Sequence, residues 1–504
     1  MPIGLPALRR PARSLVLLLL MLVATMPAIA EPLSFAVTYD ASITDSFTGR
    51  VYVMLSTSER REPRFGPSWS NTEPFFAVDV TDWRPGTRLI VDDAALSFPA
   101  PPSTLAEKQW SIQAVMRRNP DSPRIGTGAG SAYGRPIRRT VGGTDGGVVE
   151  LAVDRVVDAA SPRPRRGVEV VSIHSTLLTA FHDRDQSLNA AVILPDGYDP
   201  DGTTEYPALY IIPGFGGDHL QAVGLGAMAR RLPGGDQIVM IGLDPSCWSG
   251  HHVFADSANN GPCARALIEE LIPELERRFR LRAAPSGRFL TGASSGGWSS
   301  LWLQVTAPDV FGGTWSLCPD PVDFTDFQQI DLYAPGANMY VDEHGARRPI
   351  GRQNGVPMMW YDEFSRMEVV AGPGGQLFSF EAVFSPRDEH GQPRRLYDRT
   401  TGAVDPAVAE TWKAYDIRHR LETNWPALAP KLAGRLHVFV GSEDNFYLDG
   451  AVRSLKAVLE RLGSDAVIEI QPGLDHGTVV QPNLQRIIEG VRERFEAATP
   501  ATTG

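Results

Sequence analysis

Arg288-Phe289-Leu290-Thr291-Gly292-Ala293-Ser294-Ser295-Gly296-Gly297-Trp298 begins as a short apolar strand, turns through Gly-x-Ser-x-Gly and continues as a helix to about Thr306. A serine on such a turn stands clear of the chain. Side chains two positions to either side would meet backbone, so glycine is needed at both. The helix start behind the serine aims unpaired amides at developing negative charge. The register favours Ser294 as the exposed serine, because a register on Ser295 would put Ala293 at the first small position. Ser295 then offers its backbone amide.

Working outward, strand and helix patterns alternate from residue 168 onward. Strands are predicted over Val168–Ser175, Ala190–Pro195, Ala208–Pro213, Gln237–Leu243, Arg288–Thr291, Thr314–Cys318, Leu436–Val440 and Ala466–Gln471. Several are unbroken apolar runs, as expected of strands buried on both faces. Ala264–Arg280 carries Leu267, Leu271, Leu275 and Phe279 at four-residue spacing and reads as an amphipathic helix. Ala451–Leu462 and Leu484–Ala497 behave similarly. The alternation predicts an α/β domain over 167–498, with a mostly parallel sheet flanked by helices. A weakly periodic insert at about 320–400 interrupts it.

Upstream the pattern changes. Residues 31–157 carry short alternating or β-branched runs, among them Ser34–Tyr39, Gly49–Ser56, Phe75–Val80 and Trp110–Met116, and predict a small antiparallel all-β sandwich. The Pro- and Arg-rich stretch 158–166 reads as a linker. Residues 1–30 combine Arg9, Arg10 and Arg13, an apolar run from Ser14 to Met26 and the ending Ala28-Ile29-Ala30. That is the pattern of a signal peptide cut before Glu31, so a secreted or periplasmic location is expected. No later segment is apolar enough to span a bilayer.

The 504 residues are 42% hydrophobic and 21% charged, an ordinary globular composition, and the net charge of −11 excludes a general nucleic-acid binder. Of the three cysteines, Cys247 and Cys263 close the shortest loop and are the favoured pair if a bridge forms, with three free thiols as the alternative. No metal is expected. His251, His252 and Asp256 are close in sequence, but neighbours on an extended strand point to opposite faces.

A serine hydroxyl needs a base, and the base needs an orienting acid. His476, in the loop Gln471-Pro472-Gly473-Leu474-Asp475-His476-Gly477 after the last strand, is the candidate base. Asp444, three residues past Gly441, is the candidate acid, with Glu443 and Asp449 as alternatives. Ser, acid, His is the chain order expected of this kind of fold. The turn Pro213-Gly214-Phe215-Gly216-Gly217 offers the Phe215 amide as a second oxyanion donor beside that of Ser295. Asp320 and Asp323 follow a strand at the same end of the sheet and read first as turn-forming residues, second as substrate contacts. Tyr333, Tyr340, Trp360 and Tyr361 are candidates to line an aromatic or sugar site, whereas Trp298 and Trp302 read as core.

The Pro-Gly-Phe-Gly-Gly turn, the Gly-Ala-Ser-Ser-Gly-Gly turn, Gly441-Ser442-Glu443-Asp444 and Asp475-His476-Gly477 resemble the Putative esterase family of α/β-hydrolases over about 168–498. That family includes esterase D-like enzymes, feruloyl esterases, enterochelin esterase-like proteins and mycolyltransferases. The resemblance implies Ser294 as nucleophile, Asp444 as acid, His476 as base, and the Phe215 and Ser295 amides as oxyanion donors. It implies a serine carboxylic-ester hydrolase without cofactor, acting on a small-molecule or polysaccharide-linked ester. An acyltransferase, a peptidase or a binding protein on a hydrolase scaffold are the alternatives. The insert and the N-terminal β region depart from the simplest members and leave the substrate open.

Overall fold

The computed structural model describes Met1 and residues 31–68, 73–143, 146–159 and 166–498. The expected signal peptide (residues 2–30) and most of the expected linker (160–165) lie outside the described residues.

The N-terminal β region consists of two facing sheets. β1 (Ser34–Tyr39) lies between β4 (Leu89–Val91) and β9 (Val148–Val153). The other sheet holds β2 (Phe47–Ser56), β3 (Phe75–Trp83), β5 (Leu96–Phe98), β6 (Lys108–Met116), β7 (Ala132–Tyr133), β8 (Ile137–Val141) and β10 (Arg155–Val156). Phe35, Val37, Val51, Val53, Ile112 and Ala114 share the core between them. The expectation of a purely antiparallel sandwich needs one correction. β1 and β9 pair in parallel, from Ser34 opposite Val148 to Tyr39 opposite Val153. Side-chain alternation is the same in either direction, so sequence cannot reveal it.

The following sheet has eight strands in the order β11-β12-β14-β13-β19-β20-β23-β24. They are β11 (Val168–His174), β12 (Ser187–Ile193), β13 (Ala208–Ile212), β14 (Val239–Leu243), β19 (Arg288–Ala293), β20 (Gly313–Leu317), β23 (Leu436–Gly441) and β24 (Val467–Gln471). The numbers between belong to small ladders, β15 (Ser246–Cys247) with β16 (Gly250–His251), β17 (Asp256–Ser257) with β18 (Gly261–Pro262), and β21 (Pro349–Gln353) with β22 (Val356–Trp360). Strands β11 and β12 run antiparallel to their neighbours. From β14 to β24 every pairing is parallel. Every residue of β13, β14 and β20 is buried, and β13 and β14 accordingly read as continuous apolar runs.

Helices α1 (Thr176–His182), α2 (His219–Arg230), α3 (Cys263–Ala266), α4 (Ile272–Phe279) and α5 (Ser295–Thr306) accompany the first strands. The expected single helix over 264–280 is α3 and α4 joined by a wider turn at Leu267–Leu271. Pro273 lacks the N–H that would bond back to Glu269, and the wider turn absorbs the loss. The insert is ordered. It contributes the β21–β22 hairpin, α6 (Tyr361–Ala371) and α7 (Gln376–Phe384). Helices α8 (Pro406–Trp412), α9 (Ile417–Leu432), α10 (Asp449–Arg461) and α11 (Val480–Ala497) complete the chain. No helix among the described residues is long and apolar enough to cross a membrane.

The second face of the larger N-terminal sheet packs on the insert. Tyr52, Met54 and Phe75 share a core with Phe364, Met367 and Val370 of α6. Arg50 Nη1 donates to the carbonyls of Val369 (2.9 Å) and Val370 (3.1 Å), and the Tyr52 hydroxyl donates to Ala371 O (2.6 Å). These are carbonyls that a helix end leaves without partners, and the guanidinium also suits the negative end of the helix dipole. Tyr52→Phe removes one such donor in a buried place. The expected loss is about 1–2 kcal/mol, read as a lower denaturant midpoint in chemical unfolding.

Candidate active site

The turn after β19 is held by crowding. Ser294 has φ 59° and ψ −126°, a conformation that non-glycine residues avoid. A Cβ on Gly296 would lie 1.9 Å from Ile212 O, and one on Gly292 would lie 2.3 Å from Gly296 O. The two glycines therefore let β13, β19 and α5 meet, which the sequence pattern anticipates. Three backbone bonds pin Ser294. Its N–H donates to Leu317 O (3.1 Å), and its carbonyl accepts from Trp298 N (3.0 Å) and Asp320 N (3.2 Å).

Ser294 lines a cavity of about 310 Å³ together with Phe215, Asp320, Gln376, Phe446 and His476. Ser295 is different. Its side chain is fully buried and donates to Asp320 Oδ2 (2.5 Å), so the register that makes it the exposed serine is excluded. As the first residue of α5, Ser295 has an N–H with no carbonyl one turn back to accept it.

His476 and Asp444 are brought together: His476 Nδ1 lies 2.8 Å from Asp444 Oδ2. Asp444 is fully buried, and its Oδ1 accepts from the amides of Phe446 (2.9 Å) and Leu448 (3.3 Å). Gly441 allows the two loops to touch, since a Cβ there would lie 2.0 Å from Leu474 O. The alternatives to Asp444 stand elsewhere. Glu443 is exposed, and Asp449 pairs with Arg352 (3.0 Å) and Arg453 (3.3 Å). Phe446 sets its ring edge-on against the imidazole at 4.8 Å. Burial disfavours a charged imidazole, but Cys318 and Asp444 beside it outweigh that and hold the pKa of His476 well above its ordinary 6.5.

The ligating atoms of Cys318, Asp444 and His476 all lie within 4.8 Å of one another. Asp444 and His476 spend those atoms on each other, and Cys318 Sγ donates to the His476 carbonyl at 3.4 Å. The favoured Cys247–Cys263 bridge is not formed, and all three thiols are free. Cys247 Sγ lies 3.1 Å from Ser249 Oγ, and Cys263 Sγ donates to Asn260 O at 3.2 Å.

The Phe215 turn approaches Ser294 closely, for a Cβ on Gly214 would lie 3.3 Å from Ser294 Cβ. His251 braces this turn. Its Nδ1 accepts from Val253 N (3.0 Å), so the proton sits on Nε2, which donates to Pro213 O (3.0 Å). Burial pushes its pKa down to about 3, so the ring is neutral. His252 Nδ1 likewise accepts from Phe254 N (3.1 Å), and Asp256 Oδ1 caps the amides of Ala264 (2.8 Å) and Arg265 (3.2 Å). On the outer side, Arg124 of the N-terminal β region pairs with Asp218 (2.8 Å) and donates to Gly216 O (3.3 Å).

Sequence reasoning undervalued three residues. Asp320 is no turn cap: its carboxylate oxygens accept from Ser294 Oγ (3.2 Å), Ser295 Oγ (2.5 Å) and Gln376 Nε2 (3.3 Å). Gln376 comes from the insert, where no motif marks it. Arg352, on β21, donates to Asp444 O (2.8 Å) as well as to Asp449. The aromatic residues proposed for a sugar site are structural instead. Tyr340 and Tyr361 are buried, Tyr333 donates to Asp416 Oδ2 (3.1 Å), and Trp360 sits beneath the Arg347 guanidinium (4.9 Å).

Among solved structures, the chain is similar to an S-formylglutathione hydrolase from Agrobacterium tumefaciens, with 14% identity, 66% of this chain and 98% of that one covered, and a TM-score of 0.40. It is similar to a fluorophosphonate-binding serine hydrolase from Staphylococcus aureus, with 14% identity, coverage of 64% and 98%, and a TM-score of 0.40. A ferulic acid esterase from Anaeromyces mucronatus, in complex with ferulic acid, has 15% identity, coverage of 64% and 91%, and a TM-score of 0.34. No curated protein matches the chain. The sequence pattern of the Putative esterase family matches residues 183–449, more than half of the chain, and the protein therefore belongs to that family of serine hydrolases with an α/β-hydrolase sheet.

Proposed function

We propose that the protein is an exported serine esterase that cleaves carboxylic esters with Ser294, His476 and Asp444. One observation carries this reading: the strained Ser294 and the 2.8 Å His476–Asp444 pair open into one cavity. Ser294 Oγ attacks the ester carbonyl while its proton passes to His476 Nε2. Asp444 holds Nδ1–H and stabilises the imidazolium. The amides of Phe215 and Ser295 receive the oxyanion. The tetrahedral intermediate collapses, the C–O bond breaks, and His476 returns the proton to the leaving alcohol. Water, deprotonated by His476, then releases the acid from the acyl-enzyme. In the unliganded site Ser294 Oγ donates to Asp320, so a rotation about its Cα–Cβ bond precedes attack. Support for export comes from residues 1–30 of the sequence.

Ser294→Ala is expected to lower turnover of p-nitrophenyl acetate by about 10⁴-fold or more and to abolish labelling by a fluorophosphonate. Unchanged turnover removes Ser294 from the reaction. Transfer of the acyl group to an added alcohol in preference to water would make the enzyme an acyltransferase.

The reaction needs neutral His476, whose pKa is raised, so kcat/KM rises with pH through that elevated value and is low beneath it. Asp444→Asn removes the carboxylate that favours imidazolium. The midpoint of the acid limb should move to lower pH while the plateau falls by about 10⁴-fold, as read from a pH–rate profile. His251→Leu should lower kcat by about 10-fold or more and leave KM little changed, because it frees the Pro213 carbonyl, together with Val253 N–H, and loosens the oxyanion turn.

A further inference from the structure

Asp320 is 6% exposed, and its carboxylate faces side-chain donors: Ser294 Oγ and Ser295 Oγ on the serine turn, and Gln376 Nε2 from the insert. An aspartate that caps a turn accepts backbone N–H groups, as Asp388 does from His390 N and Gln392 N, both at 2.8 Å. Asp320 instead lines the cavity beside Ser294. Two consequences follow from its position. It holds the hydroxyl proton of Ser294 away from His476. It also places a carboxylate near the carbon where a tetrahedral oxyanion would form, which opposes that charge unless another donor binds it.

We propose that Asp320 determines the specificity of this site, its Oδ1 accepting a hydrogen bond from a hydroxyl carried by the substrate beside the scissile ester. The inference rests on the esterase reading of Ser294. The substrate hydroxyl takes the place of Ser294 Oγ–H on Oδ1, and Ser294 turns its proton to His476. The selected class is then an ester of a polyol or of a hydroxy acid. A hydroxyl fits better than an ammonium group. Asp320 is the one carboxylate lining the cavity among the described residues, the amides of Gln328 and Gln376 are neutral, and Phe380, Phe446 and Ile350 are apolar. A desolvated ammonium would need more compensation than that. Burial pushes the Asp320 carboxyl up to about 6, against the opposing bonds from Ser295 and Ser294.

The test compares kcat/KM on two pairs that differ by hydroxyls: glycerol monoacetate with propyl acetate, and methyl glycolate with methyl propionate. The parent enzyme is expected to favour the hydroxyl-bearing member of at least one pair by about 10-fold or more beyond its alkaline-hydrolysis ratio. Asp320→Leu should bring that preference to about unity, and Asp320→Asn, an isosteric change less disruptive to folding, should reduce it part of the way. Equal kcat/KM within both pairs for the parent overturns the proposal and needs no variant. A preference that survives in both variants also overturns it, and leaves Ser294 untouched. A parent that turns over none of the four esters overturns it as well. In that case fluorophosphonate labelling at Ser294 keeps the esterase reading alive, and absence of labelling ends both.

Discussion

Everything at the candidate site depends on a backbone collision that glycine avoids. The end of β13 runs so close to the serine turn that Ile212 O would sit 1.9 Å from any Cβ at position 296. That approach forces the turn, and the turn leaves Ser294 at positive φ. Such a conformation costs about 1–3 kcal/mol and persists only when its surroundings leave no alternative. Here the surroundings are α5, nearly all of whose residues are buried, with Trp298 stacked on Trp302 at 5.1 Å and against Phe384 at 5.3 Å. The helix cannot shift to relax the serine without opening that aromatic core.

The two additions to the hydrolase sheet have a mechanical part in this. Arg124 reaches from the N-terminal β region to the turn bearing Phe215, while Arg50 and Tyr52 cap the end of α6. The insert supplies Arg352 to the loop of Asp444 and Gln376 to Asp320. Three of the loops that converge on the cavity, those of Phe215, Asp320 and Asp444, are therefore braced by something outside the eight-stranded sheet. Loops carry function best when a rigid scaffold positions them, and here the scaffold includes both additions.

The sequence made the sheet legible because its central strands, such as β13 and β14, are buried and apolar throughout, and that signal survives without a template. It made Ser294, Asp444, His476 and Phe215 nameable because each follows a strand at the same end of the sheet, and near Ser294, Asp444 and Phe215 stand glycines that a close approach requires. Asp320 was not legible in its contacts. Its neighbour Pro321 and the nearby Asp323 make an ordinary turn pattern, and only the fold brings Ser295 and Gln376 to it. Gln376 is 81 residues from Ser295 in the chain, and a lone glutamine carries no local signature. The break between α3 and α4 was hidden for another reason. Four-residue spacing of Leu267, Leu271, Leu275 and Phe279 persists across it, although Pro273 forbids a regular helix.

Two aspartates at the same end of the sheet, the half-buried Asp244 and the buried Asp320, show how donors decide what a carboxyl can do. Asp244 accepts from Ser246 N (3.1 Å) and Ser246 Oγ (2.6 Å), and lies 2.8 Å from His219 Nδ1. Burial raises its pKa, but His219 and Ser246 outweigh burial and leave it below the ordinary value. Such a carboxylate is satisfied and stabilises the fold. At Asp320 burial wins over the bonds from Ser295 and Ser294, and the value rises from 3.8 to about 6. Folding is then opposed as pH climbs from 3.8, fully so above about 6, by about 3 kcal/mol. A carboxyl that only shaped a turn would gain nothing by carrying that penalty, since an amide would shape the turn without it. Its place beside the strained Ser294 fits a group that exchanges the Ser294 hydroxyl for one on the substrate.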